Sequence, residues 1–234
     1  IIITTLLMCL SMGPTVKRYL TTPADRVFGG LEYYSDDYSI YVSNMLQGQR
    51  GRWTLLDKHT TEPHRGTIIH DEYLLWGKFV GFFHVDQIKA YHLARLTFGI
   101  ILLGMIYLLL YEIFPTNVFK RKLAFFLVTF STGFPLVLAS LPNNPLAFFG
   151  FTIKEHMDWL TEMDVFFRFV ALPHYLLGNI FFVGALISFL RYLGHLGHLR
   201  YLIFGAFCCL MMALIHPVAL VIFMALLSIY LFLI

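Results

Sequence analysis

The sequence predicts an all-α fold, a polytopic bundle of transmembrane helices carrying one long polar loop, and three observations support this. The 234-residue chain is 58% hydrophobic and only 13% charged, about half the charged fraction of an ordinary soluble domain, and its mean hydropathy is +0.71. Past residue 90 it is dominated by apolar runs close to the roughly 20 residues a helix needs to cross a hydrocarbon layer of about 30 Å. Most ionisable groups are gathered instead in residues 15–90. The formal charge of +3 is scattered along the chain, so no nucleic-acid surface is expected. Cys9, Cys208 and Cys209 lie in apolar runs with neither disulfide nor metal-ligand spacing.

Residues 1–12 are apolar but too short to cross, and read as the outer end of a first transmembrane helix stopped near Gly13-Pro14. A signal peptide is the competing reading. The chain starts at Ile1 and ends at Ile234 inside an apolar run. It is therefore expected to be a fragment of one membrane domain, residues 1–234, divided into an extracytoplasmic loop, residues 14–90, and transmembrane helices, residues 91–234. Within the loop, residues 35–48 place Tyr38, Tyr41, Val42, Met45 and Leu46 at spacings of three and four. That pattern predicts a short amphipathic juxtamembrane helix, capped by Ser35 and stopped at Gly48. The glycines and Pro63 after it predict a turn-rich segment.

Residues 73–85 form an apolar run broken by Gly77, Lys78 and Gly81, of a length that suits an interfacial or re-entrant segment. Clearer spans are residues 92–114, with Arg95 near the start and Glu112 near the end, and residues 123–141. A polar interlude, residues 142–163, and a short lead-in, residues 164–172, precede a crossing at residues 173–190. Pro173 is tolerated there as a first-turn residue. Residues 191–200 form a basic turn, and two shorter runs, residues 201–215 and 218–234, flank His216-Pro217. Lys120-Arg121-Lys122 and the basic turn are the strongest cytoplasmic signals. They put residues 15–90, residues 142–163 and His216 on the opposite face, provided that residues 73–85 do not cross.

The capped helix puts Asp36 and Asp37 in its first turn, where unpaired amides and the positive end of the helix dipole favour ionised carboxylates. Either can act as a general base; both can equally be plain caps on a surface helix. Arg50, Arg52, Lys58 and Arg65 are candidates to hold phosphate oxygens, arginine because its donors form a rigid fork, or else to anchor lipid headgroups. His59, Glu62, His64 and His70 offer ligands at no recognised metal spacing, so Zn²⁺ is disfavoured. Mg²⁺ or Mn²⁺ shared between Asp36 or Asp37 and a lipid phosphate is the better metal candidate. Glu155, His156, Asp158 and Glu162 add polar groups on the same face. His174, at the mouth of a span, is placed to donate to a phosphate or relay a proton without full burial. Haem is excluded because His174 and His216 fall at span ends, and ion conduction because the deep spans carry few charges.

The stretch D-D-Y-S-I-Y-V-S-N-M-L-Q-G-Q-R-G-R-W, then T-T-E-P-H-R, Y-L-L-W-G-K and Y-H-L-A-R, resembles the amino-terminal part of GT-C-type membrane glycosyltransferases, notably poorly characterised bacterial ones. E-M-D-V-F-F-R-F-V-A-L-P-H-Y and His216-Pro217 are similar to patterns in those proteins too. The resemblance implies a polyprenyl-phosphate-linked sugar as donor and a bacterial cytoplasmic (inner) membrane location with the main polar loop extracytoplasmic. It implies that Asp37, or Asp36, serves as base or metal ligand, with Glu62 and His174 near the lipid phosphate. It also implies that residues 73–85 cross the membrane, against the charge-based topology. The expected function is sugar transfer to an extracytoplasmic acceptor, with Asp37 and Asp36 catalytic and Glu62, His64, Arg50, Arg52, Arg65, His174 and Glu162 binding substrate. The alternatives are a non-catalytic subunit docking partner membrane subunits, and a transporter built as two pseudo-symmetric bundles.

Overall fold

The computed structural model describes residues 2–30, 35–58, 60–68, 71–130, 172–194 and 198–233; the side chains of residues 3, 14, 35, 36 and 130 are outside that description. Its helices are α1 (Ile2–Ser11), α2 (Gly13–Thr21), α3 (Ser35–Gln49), α4 (Glu72–Phe82), α5 (Gln87–Ile113), α6 (Val118–Phe130), α7 (Pro173–Gly194), α8 (Leu199–Ile215) and α9 (Pro217–Leu233). Among the described residues the only extended pairing is the Leu55–Thr67 bridge, so the described chain is all-helical as predicted. Two helices, α5 and α7, are long and apolar enough to cross a membrane. At 1.5 Å per residue they measure about 40 and 33 Å.

α5 and α7 run side by side in the same direction. Near their starts, Tyr91 and His174 both stand against Tyr73, with ring centroids 6.3 and 5.7 Å away. Near their ends, Glu112 accepts two hydrogen bonds from Arg191. Between these points lies a core of Leu102, Leu103, Ile106, Leu176, Val183 and Ile187, with Met8 of α1 inserted against Gly99. α8 and α9 pack on the other side of α7 through Ala185, Cys208, Met212, Ala219 and Phe223. Much of their remaining surface is exposed and apolar, including Ile203, Leu210, Val221 and Ile229, as a lipid-facing surface requires.

The boundaries differ from the sequence reading where glycine, proline and charge were taken as stops. Gly13-Pro14 marks only a break: the chain bends at Met12 and continues as α2 to Thr21, because proline in a first turn lacks only a donor that has no helical partner there. The buried Arg95 reaches Met12 Sδ at that break. Lys120, Arg121 and Lys122 are not a connector but the first turns of α6. Lys120 and Lys122 are exposed there, and the buried Arg121 places its guanidinium 4.8 Å over the Tyr111 ring. α5 begins at Gln87, five residues before the predicted start, because Asp86 accepts from the Ile88 and Lys89 amides as its cap. The second predicted span, residues 123–141, is described only as far as Phe130. The interlude at residues 142–163 and nearly all of the lead-in lie outside the described residues.

Gly48 lies in the last turn of α3, which ends at Gln49, one residue past the predicted stop. Its Cα faces the Leu74 carbonyl of α4, and Gly77 of α4 faces the Met45 carbonyl of α3, so a Cβ on either would overlap backbone. The two glycines let the helices cross at backbone contact. α4 has 11 residues, about 16 Å, and is too short to cross, in keeping with the interfacial reading and not with the full span implied by the family resemblance. Its end is a Schellman turn, with Val85 N–H donating to the Val80 carbonyl and His84 N–H to the Gly81 carbonyl. His84 takes the left-handed position, φ 57°, that glycine usually fills.

Gly77→Ala is therefore expected to lower the stability of the detergent-solubilised protein by about 1–3 kcal/mol, read as the unfolding midpoint. Gly104→Ala, where an added Cβ meets nothing within 4 Å, is expected to leave the midpoint unchanged or slightly raised. Equal effects at the two positions would disprove the close crossing.

Candidate functional site

Four helices converge on a ring cluster at the common end of α5 and α7. Tyr41 of α3 stacks on Tyr73 of α4 at 4.5 Å, Tyr38 meets Tyr91 of α5 edge-on at 4.9 Å, and His174 of α7 lies 5.1 Å from Tyr41. Tyr73 Oη and His174 Nδ1 share a hydrogen bond of 2.8 Å. The cluster continues through Tyr175 to His216, 4.7 Å away. The His216 Nδ1 accepts from the Ala219 amide, so this histidine caps α9 as well as breaking the last apolar pair.

Sequence explains the arrangement locally. Tyr38, Tyr41 and Met45 fall on one face of α3 that packs against Tyr73, Val80 and Tyr91. Gly30, at φ +94°, lets the chain before α3 pass tightly over Ile88 and the Tyr38 hydroxyl. Its carbonyl is bonded to His92 Nε2 at 2.6 Å. Trp76 Nε1–H donates to the Ala90 carbonyl, anchoring α4 to the start of α5. Gln47 holds the following segment through both amide atoms, donating to the Leu56 carbonyl and accepting from the Leu56 amide. Gln49 donates to the Val85 carbonyl and accepts from Gln87.

Two cavities flank α4. The first, about 420 Å³, is bounded by Tyr41 and Asn44 of α3, Tyr73, His174 and the Asp57-Lys58 pair. Burial, and then the charge of Asp37 with smaller contributions from Tyr175 and Glu72, holds the Tyr41 phenol above its ordinary range. Tyr73 is raised the same way, mainly by burial. Both are thus neutral hydroxyls at physiological pH. The second cavity, about 360 Å³, is apolar, with Trp76, Phe98, Leu177, Phe181 and Met211 in its wall and Asp71 and Glu72 at one edge. Burial and the neighbouring Asp71 push the Glu72 carboxyl up to about 8, opposed by a backbone hydrogen bond.

Among the described residues singled out from sequence, His174 alone of the substrate-binding set lines the first cavity, joined by Lys58. Asp37 does not line it. It is exposed one helical turn before Tyr41, and the row Asp37, Ile40, Tyr41, Asn44 continues the lining face of α3 toward its start. Position 36 flanks that row, and the Asp36 side chain is outside the description. Arg50, Arg52, Glu62 and Arg65 are exposed and do not line the cavity. His64 is exposed too, and is engaged at both ring nitrogens, with the Asp57 amide and the Glu62 carbonyl. Its position is that of a brace for the loop that presents Asp57 and Lys58. Glu162, together with His59, His70, Glu155, His156 and Asp158, lies outside the described residues. Among the described residues no group of three His, Cys, Asp or Glu side chains could hold a metal. The donor set for Mg²⁺ or Mn²⁺ at Asp37 is therefore incomplete in the described protein groups.

Sequence reasoning did not single out Tyr41, Tyr73, Asn44 and Asp57 as site residues. The signal available was the tyrosine spacing at residues 38 and 41, read only as part of an apolar face.

The raised Glu72 has a definite pH signature. Between the ordinary glutamate value and about 8 the folded protein holds a proton that the unfolded chain has released, so this group stabilises the fold at low pH and that contribution is lost as pH rises toward 8. Glu72→Gln should flatten the unfolding midpoint measured from pH 5 to 9, and an unaltered slope would contradict the burial of this carboxyl. No protein-family profile, curated protein or solved structure matches the chain.

Proposed function

We propose that the protein is a polytopic integral membrane enzyme that transfers a sugar from a polyprenyl-phosphate donor to an acceptor at the extracytoplasmic face of a bacterial inner membrane. The observation that carries this reading is the pair of cavities on either side of α4, one aromatic and polar, the other apolar and walled by the two long helices. Such a pair suits an amphiphilic donor, with the sugar and phosphate on the ring side and the isoprenoid chain in the apolar slot.

In this mechanism the acceptor hydroxyl lies against the α3 face and gives its proton to the Asp37 carboxylate, with Asp36 the alternative base. Its oxygen attacks the anomeric carbon, and the carbon–oxygen bond to the phosphate breaks. The electron pair leaves on polyprenyl phosphate, whose growing charge is met by Lys58 and the His174–Tyr73 pair on the cavity wall. Tyr41 supplies a flat face for the sugar ring.

Release of polyprenyl phosphate from synthetic polyprenyl-phosphate hexoses and pentoses, by purified protein in liposomes, tests the reading. Asp37→Asn is expected to cut turnover by about 10²–10⁴ without moving the unfolding midpoint, and Lys58→Gln to lower turnover more modestly. Full turnover by the double variant Asp36→Asn, Asp37→Asn would end the proposal. A non-catalytic subunit of a larger assembly would instead release nothing from any donor while still retaining membrane partners on purification.

A further inference from the structure

The far end of the α5–α7 pair carries a third cavity, about 220 Å³, between the last turns of α7 and the first turns of α8. Ile187, Ser188 and Arg191 line it from α7, and Arg200, Tyr201 and Phe204 from α8. Arg191 and Arg200 therefore both line one small space, and none of its described lining residues is a carboxylate. Both are held in place. Arg191 donates Nε and Nη2 to a single oxygen of Glu112, at 2.9 and 2.6 Å, which leaves Nη1 outside that pair, and its side chain remains 42% exposed. Arg200 lies over the Tyr201 ring at 4.8 Å and donates Nη2 to its hydroxyl. Fixed guanidinium forks of this kind match phosphate oxygens at little further ordering cost.

The surroundings are apolar. Ile187 and Phe204 form the remaining wall, and α8 continues away from the arginines with Ile203, Phe207 and Leu210 exposed. Lys120, Arg121 and Lys122 open α6 after the end of α5 that Glu112 marks, adding positive charge at this end. A free anion uses only the arginines. A phosphodiester carrying acyl chains uses the arginines and the exposed apolar face of α8 together.

We infer that this cavity binds the phosphate of an anionic phospholipid from the surrounding leaflet. The inference rests on the membrane reading of α5 and α7 and is independent of glycosyl transfer. The full chain, purified in detergent and titrated with phosphatidylglycerol or phosphatidylcholine, is read by native mass spectrometry for retained lipid. The wild-type protein should retain phosphatidylglycerol preferentially, Arg200→Gln should reduce that preference about five-fold, and millimolar inorganic phosphate should fail to displace the lipid. Equal retention of the two lipids by the wild type, an unchanged preference in Arg200→Gln with an unchanged unfolding midpoint, or displacement by inorganic phosphate would each overturn it. The wild-type and competition arms stand even if the variant fails to fold.

Discussion

The 2.8 Å hydrogen bond between Tyr73 and His174 joins residues 101 positions apart, and the rest of the site depends on it. Tyr73 belongs to a helix too short to cross a membrane, and His174 opens one of the two described helices long enough to do so. Trp76 and Tyr38 already hold α4 and α3 against the start of α5, and the Tyr73–His174 bond extends that attachment to α7. With it, the face of α3 that carries Tyr41 and Asn44 is held over the mouth of α7, and a cavity is enclosed between them. Both partners are buried, so a polar group left without the other would carry the full cost of its lost solvation. That asymmetry gives the contact its hold on the geometry.

The close approach of α3 and α4 makes the contact reachable. Gly48 and Gly77 put backbone against backbone at the crossing, and the aromatic cluster of Tyr41, Tyr73 and Tyr91 fills the space beyond it with near-parallel rings. Burial keeps the Tyr41 and Tyr73 phenols protonated, so they remain hydrogen-bond donors next to a histidine whose two ring nitrogens can exchange roles. On the other face of α4, Glu72 is held largely neutral at the edge of an apolar slot. One short helix thus divides a polar chamber from an apolar one. Charge is segregated along α5 and α7 in the same sense, with the Asp37 and Lys58 region at one end and Lys120, Arg121, Lys122, Arg191 and Arg200 at the other.

The helical character, the start of α7 at Pro173, the interfacial length of α4 and the break at His216 were all legible in the sequence, because each is set by local periodicity or by proline. The end of α3 was legible to within one residue at Gly48. What no local rule reveals is that the missing Cβ of Gly48 also serves a crossing partner 26 residues further on. Gly13-Pro14 and Lys120–Lys122 did mislead, since proline and basic side chains are both compatible with a helical first turn. Of the cavity wall, the place of His174 at the mouth of α7 was readable from position alone. Tyr73, Asn44 and Asp57 were not, because their role comes from long-range packing; the arginines of residues 50–65 were weighted by charge although they remain at the surface, and Lys58 is the basic side chain on the cavity wall.

The central claim, that Tyr73 and His174 tie the surface helices to the long apolar helix, is tested most directly by a double-mutant cycle. Tyr73→Phe, His174→Gln and the combined variant would be compared with wild type by reversible unfolding in detergent micelles. A coupling energy of about 1 kcal/mol or more is predicted, as for a buried hydrogen bond between groups in contact. Strict additivity of the two single changes would show that the groups do not interact, and the enclosure of the cavity would then have no such tie behind it.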